Sequence, residues 1–153
     1  TVEAARIGVA EFPPLRRTVE QFQNADSRFW GCRDHDRLVA AAELEQVDEQ
    51  TMNIAGFAVI PGMFRKGIGS ALLGHILSLH ADVEMTVSTA KANLPAIALY
   101  EKHGFIICRH WIVMDDLRMV TMSRNMNSQV PPRRENGKKT GIPEREMNHD
   151  SQA

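Results

Sequence analysis

Several shortages in the 153-residue chain each remove a class of protein. The net charge is only −1, with 18 Lys and Arg against 19 Asp and Glu, so no global field draws the chain to nucleic acid or an anionic membrane. Two cysteines, Cys32 and Cys108, lie far apart in apolar surroundings. They cannot build a disulfide scaffold and read as two buried thiols of a cytoplasmic protein. No run is long and apolar enough for a membrane span: the longest uncharged stretch, Gly67 to His80, is broken by Gly, Ser and His and has helical periodicity. Nothing resembles a signal peptide. The chain begins at Thr1 without an initiator Met, as a processed or truncated product would. What remains is 43% hydrophobic and 24% charged, the average of an ordinary globular domain, and the length suits one core and one site. Small-molecule chemistry is the expected class.

Residues 125–153 contain Pro131, Pro132, Gly137, Gly141 and Pro143 among mixed charges and hold no aromatic residue or Leu, a composition that reads as a flexible polar tail. Its Arg133-Arg134 and Lys138-Lys139 pairs are nearly cancelled by Glu135, Glu144, Glu146 and Asp150, so no nucleic-acid partner is expected. Residues 1–124 form the domain. Within it, Phe29 to Arg33 and Leu38 to Val47 alternate as an antiparallel hairpin around Asp34-His35-Asp36-Arg37. The next strand puts Met52, Ile54, Gly56, Ala58 and Ile60 on one face and ends at Pro61-Gly62. Gly67 to about His80 is an amphipathic helix, Glu84 to Ser88 a short strand, and Pro95 opens a second helix capped by Gly104. Phe105 to Met114 and Arg118 to Ser123 pair around Asp115-Asp116. Residues 1–26 are the least readable, with helices expected over Val2 to Ala10 and Leu15 to Phe22 on either side of Pro13-Pro14.

The segment that carries chemistry is a strand, Pro61, then Phe64-Arg65-Lys66-Gly67-Ile68-Gly69-Ser70 running directly into a helix. A helix start offers oriented N–H donors and partial positive charge, so this turn suits a pyrophosphate, with Arg65 and Lys66 adding full charges. The bland alternative is a glycine-rich loop that only tightens the turn. No Walker run is present, and Gly67-x-Gly69 meets Leu72 where a dinucleotide fingerprint needs its third glycine. The ligand is neither a simple nucleoside triphosphate nor NAD.

Val59-Ile60-Pro61, the run Arg65-Lys66-Gly67-Ile68-Gly69-Ser70-Ala71-Leu72-Leu73, and the run Asn93-Leu94-Pro95-Ala96-Ile97-Ala98-Leu99-Tyr100-Glu101-Lys102-His103-Gly104-Phe105 resemble the two signature segments of the GCN5-related N-acetyltransferase (GNAT) superfamily, in the same order and at the same separation. The clear similarity covers about residues 52–124. It implies an α/β (α+β) fold with a mixed, mostly antiparallel central sheet, flanked by helices and splayed at an acetyl-CoA site, with no metal. By position, the backbone of Phe57, Ala58 and Val59 would pair with the pantetheine arm, Arg65, Lys66, Gly67, Ile68, Gly69 and Ser70 would hold the pyrophosphate, Asn93 would touch pantetheine and Tyr100 would face the sulfur. One departure is Phe64, where the family usually has Gln or Arg three residues before the first motif glycine.

Acetyl transfer needs a neutral amine, a polarised carbonyl and a way for the thiolate to leave. A phenol near pKa 10 against a thiol near 8.5 makes full proton transfer uphill by roughly 2 kcal/mol, so Tyr100 is expected to hydrogen-bond the departing sulfur. Its alternative is a core aromatic on a helix stripe. Glu43 and Glu45 share one face of their strand and are the candidate bases, although strand glutamates are usually solvated. The branch of the family that modifies protein N-termini commonly carries an acid five residues before the motif asparagine, and that place holds Ser88. His75, His80 and His103 lack metal-ligand spacing and read as surface or packing residues. Trp30 and Trp111, and the methionines Met114, Met119, Met122 and Met126, read as packing. The expected function is acetylation of a primary amine on a small molecule, a metabolite or an antibiotic-like amine. Alternatives are a non-catalytic acyl-CoA binder on the same fold and a protein-lysine or N-terminal acetyltransferase. Homodimerisation stays open.

Overall fold

The computed structural model describes residues 18–113 and 117–125. They form three helices, α1 (Val19–Gln23), α2 (Ile68–Leu79) and α3 (Leu94–Lys102), a 3-10 turn at Pro61–Met63, and six strands. The strands are β1 (Ser27–Asp34), β2 (Arg37–Gln46), β3 (Thr51–Val59), β4 (Glu84–Ala90), β5 (Ile106–Ile112) and β6 (Arg118–Arg124). They make one sheet in the order β1-β2-β3-β4-β6-β5, with only the β3–β4 pair parallel. The chain crosses from β3 to β4 through α2, since parallel neighbours need a crossover, while consecutive strands such as β1–β2 and β2–β3 close antiparallel. The expected mixed, mostly antiparallel sheet flanked by helices is the observed one. The expected helices over 2–10 and the start of 15–22, the Asp115-Asp116 turn and the tail beyond Asn125 lie outside the described residues, as does Met126.

One face of the sheet packs under α2 and α3. Ala40, Ala42 and Leu44 of β2, Met52 and Ile54 of β3, Met85 and Val87 of β4, and Val120 and Met122 of β6 meet Leu72, Leu73, Ile76, Leu77 and Tyr100 there. Trp30 and Cys32 of β1 pack against the same core, and Trp30 is flanked edge-on by His75 and His80, with ring centroids 5.8 and 6.2 Å away. Of the two cysteines, Cys32 is half-buried but Cys108 is exposed. The expectation of two buried thiols fails for Cys108, because β5 is an edge strand with exposed residues over most of its length.

The single-face reading of β3 also fails, for a physical reason. Glu43 pairs with Gly56 but Leu44 pairs with Ile54, so Ala55 is an extra residue, a β-bulge that reverses the alternation beyond it. Before the bulge the even-numbered Met52 and Ile54 face the core; after it, Phe57 and Val59 do. Gly56 and Ala58 therefore turn to the opposite face, where they meet Glu43 and Ala41. At the same place the sheet parts. β3 and β4 pair only from Thr51↔Glu84 to Ile54↔Val87, although β3 runs on to Val59 and β4 to Ala90.

The end of α3 fixes what stands beside this seam. Gly104, at φ 86°, follows the cap residue His103, and its N–H donates to Glu101 O while Phe105 N–H donates to Tyr100 O. These are the two bonds of a Schellman motif, in which the third residue from the helix end touches the residue after the glycine. Here that contact is Tyr100 on Phe105, with centroids 5.5 Å apart and both residues buried. The left-handed conformation at Gly104 is open to glycine at no steric cost. Gly104→Ala is expected to lower the unfolding free energy by about 1–2 kcal/mol, read as a shift of the urea midpoint at unchanged slope.

Candidate active site

The loop after β3 is bent into its cradle by backbone conformation. Arg65 and Gly67 have φ of 61° and 81°, and a non-glycine in that region stores strain of the kind found at functional sites. Gly67 is the cap of α2, and no side chain caps the helix start. The first helical bond recorded there runs from Ala71 N–H to Gly67 O. The N–H groups of Ile68, Gly69 and Ser70 therefore point out of the helix with no partner among the described residues, beside the exposed Arg65 and Lys66. Such a cluster of N–H groups favours an anion. The two glycines have different tasks. A Cβ on Gly67 would meet nothing within 4 Å, whereas one on Gly69 would lie 3.4 Å from Val59 Cγ2 and 3.6 Å from both Leu99 Cδ2 and Phe57 Cε1. At Gly69 the first turn of α2 thus lies within van der Waals reach of β3 and α3.

The seam between β3 and β4 supplies main-chain groups with no strand to receive them. Ile60 N–H donates to Val39 O of β2. By strand alternation Ala58 also turns its N–H to β2, and Phe57 and Val59 turn theirs to the open side. Across the seam, Asn93 follows β4 and caps α3: its Oδ1 accepts from Ala96 N–H at 3.4 Å and its Nδ2 donates to Thr89 Oγ1 at 3.1 Å. These capping bonds account for an asparagine at this position on structural grounds, apart from the ligand contact expected of it.

Two ionisable side chains converge on the bulge from opposite faces. Tyr100 is 3% exposed on the helix side, its ring 6.3 Å from that of Phe57. Burial pushes its phenol well above the ordinary value, so it stays protonated at neutral pH. No described residue hydrogen-bonds its hydroxyl. Glu43 lies between Ala42 and Leu44, which face the core, and so projects to the other side. It is 5% exposed, unlike a typical strand glutamate, and Ser27 Oγ donates to its Oε1 at 2.7 Å. Glu45, on the same face, is half-buried and pairs with Asn53, where β3 is still bonded to β4. Of the two candidate carboxylates, only Glu43 stands level with the open seam.

His103 is the residue whose place the sequence underrated. Its Nε2 shares a 2.8 Å hydrogen bond with Ser70 Oγ, tying the end of the Tyr100 helix to the first turn of α2. Its spacing carried no signal, because the two residues are far apart in the chain. Among the described residues, no group of three or more His, Cys, Asp or Glu is placed to hold a metal, and no helix is long and apolar enough to cross a membrane.

A parted sheet whose free strand leads into an uncapped, positively flanked helix start is an α/β domain built for a long ligand with an anionic middle. The sequence profile of the acetyltransferase (GNAT) family matches residues 4–105, so the match reaches into the front of the chain, where reading by pattern was poorest. The chain belongs to that family. Among its relatives, the UPF0157 protein YqkA of Bacillus subtilis (strain 168) is 36% identical over 104 residues, 67% of this chain and 30% of that protein; the match thus spans less than a third of the relative. The same fold occurs in the ribosomal-protein-S18-alanine N-acetyltransferase of Escherichia coli, at TM-score 0.64 and 21% identity over 74% of this chain and 78% of that one. It occurs also in a GNAT family acetyltransferase from Elizabethkingia anophelis with acetyl-CoA bound, at TM-score 0.61 and 16% identity over 71% and 83% of the two chains.

Burial, then the charges of Lys102 and Arg124, hold the His103 imidazole below its ordinary value of 6.5. The unfolded chain therefore binds a proton there more readily than the folded one, and the contribution is lost as pH falls from about 6.5 toward the folded value. The urea midpoint is expected to drop across that window, and His103→Gln should flatten the drop.

Proposed function

We propose that the domain transfers the acetyl group of acetyl-CoA to a primary amine of a small molecule. The observation that carries this reading is the open seam: main-chain donors of Phe57 and Val59 face a gap in the sheet that leads to the unpaired N–H groups of Ile68, Gly69 and Ser70. These residues fit acetyl-CoA, which when bound supplies an acyl group activated as a thioester. The start of α2, with Arg65 and Lys66, would hold its diphosphate. Phe57, Ala58 and Val59 would run beside its pantetheine arm, with Asn93 on the far bank.

The chain's own groups then divide the work of transfer. An amine attacks only through its lone pair, so Glu43 takes the proton of the incoming ammonium. N–H groups on the open side of β3 polarise the carbonyl. As the N–C bond forms and the C–S bond breaks, the thiolate would leave and take up the proton that the acylated nitrogen sheds, while Tyr100 donates a hydrogen bond to the departing sulfur. Its raised pKa makes outright donation of the proton harder still, and the phenol acts as a neutral donor. Glu45 is the weaker base candidate, because it stands off the seam. Ser88, in the place where acceptors that are protein N-termini are met by an acid, shares a hydrogen bond with Thr121 at 3.0 Å, which favours a small amine.

Two measurements test this. Gly67→Asp puts a carboxylate beside the expected diphosphate and should weaken acetyl-CoA binding by about tenfold or more, read by calorimetry; an unchanged affinity would refute the cradle. Tyr100→Phe should lower kcat by about 10- to 150-fold, the worth of one hydrogen bond to a charged group, with acetyl-CoA affinity retained. Thiol release is the readout, and turnover that ignores the substitution would remove the phenol from the mechanism.

A further inference from the structure

We infer that the amine accepted here is a primary monoamine carried on a hydrophobic body, and this rests on the acetyl-transfer reading above. On the face of the sheet opposite Tyr100, an open groove of about 590 Å³ runs between α1 and the first two strands. Phe22, Phe29, Val19 and Ala41 form most of it, and none of the described residues that line it is charged. Phe22 and Phe29 stand edge to face, 6.1 Å between centroids. Phe29 is 50% and Val19 73% exposed, apolar surface that a hydrophobic ligand would cover favourably.

The lining of the groove also holds two polar side chains, Gln23 and Ser27. The Ser27 hydroxyl is the one that donates to Glu43 Oε1 at 2.7 Å. The cross-strand register places Phe29 opposite Glu43 and Glu43 opposite Gly56. This single row leads from the aromatic groove, past the carboxylate, to the bulged edge of the seam. A Cβ on Gly56 would lie 3.5 Å from Glu43 Oε2, so the absent side chain leaves the carboxylate facing β3 directly. An ammonium group is the complement of that carboxylate, and an alkyl or aryl body is the complement of the groove.

The same lining argues against other amines. A polyamine needs a second carboxylate along its length, and an amino acid needs a cation for its own carboxylate. Among the described residues the groove offers neither. A hydrophobic pocket instead discriminates by size, with each methylene removed from water worth about fourfold in affinity.

The test measures thiol release by the full chain at saturating acetyl-CoA. Acceptors are straight-chain primary monoamines of increasing length and phenyl-terminated analogues, with spermidine and a short peptide as comparators. The expected result is a kcat/KM that rises about two- to fourfold per methylene over the first several carbons and exceeds that of spermidine and the peptide. Phe29→Ser should flatten that rise, with acetyl-CoA affinity by calorimetry unchanged. Turnover that is independent of chain length, or fastest with spermidine or the peptide, overturns the inferred acceptor and leaves acetyl transfer standing. Acetyl-CoA binding without turnover of any amine overturns both.

Discussion

One extra residue in one strand governs the site. Ala55 has no partner on β2, and the pairing of β3 with β4 ends one residue before it. A bulge bends its strand and increases the local twist, and a strand so turned cannot stay in register with a parallel neighbour whose pairing on the other side, to β6, continues through Ala90. The sheet opens at that point. Phe57 and Val59 are left with main-chain groups facing outward, and the change of phase moves Gly56 to the side of Glu43.

The groups around the opening are held by contacts made elsewhere. Tyr100 is fixed by a Schellman turn and by packing on Phe105. The first turn of α2 lies against β3 at Gly69, and it is tied to the end of α3 through Ser70 and His103. Desolvation keeps the phenol neutral, and the nearly buried Glu43 carboxylate accepts a hydrogen bond from the Ser27 hydroxyl. The phenol stands on one face of the seam and the carboxylate on the other.

Local patterns legible in the sequence include the hairpin, the helix after the glycine turn, the second helix with its Gly104 cap, and the two closing strands. Each is specified by residues within a few positions of one another, through period-two or helical spacing and by turn residues. The glycine turn that opens α2 was legible for the same reason. What misled was β3, whose apolar spacing gives no sign of a bulge: a small Ala next to Gly is compatible with an unbroken strand. Cys108 was misplaced because its apolar neighbours do not reveal that their strand lies at the edge.

The amino-acid sequence alone determined the family, the order of the elements and the run of residues suited to an anion, because signature spacing and helix-start chemistry are local properties. Tertiary structure decided which of two equivalent glutamates stands at the opening, what bonds Asn93 and His103 make, and that a hydrophobic groove is lined by Ser27, the hydroxyl partner of Glu43. Those depend on cross-strand register and on helix-to-sheet approach. Both are set by how the whole core packs, and register in particular passes through a bulge that no local pattern announces.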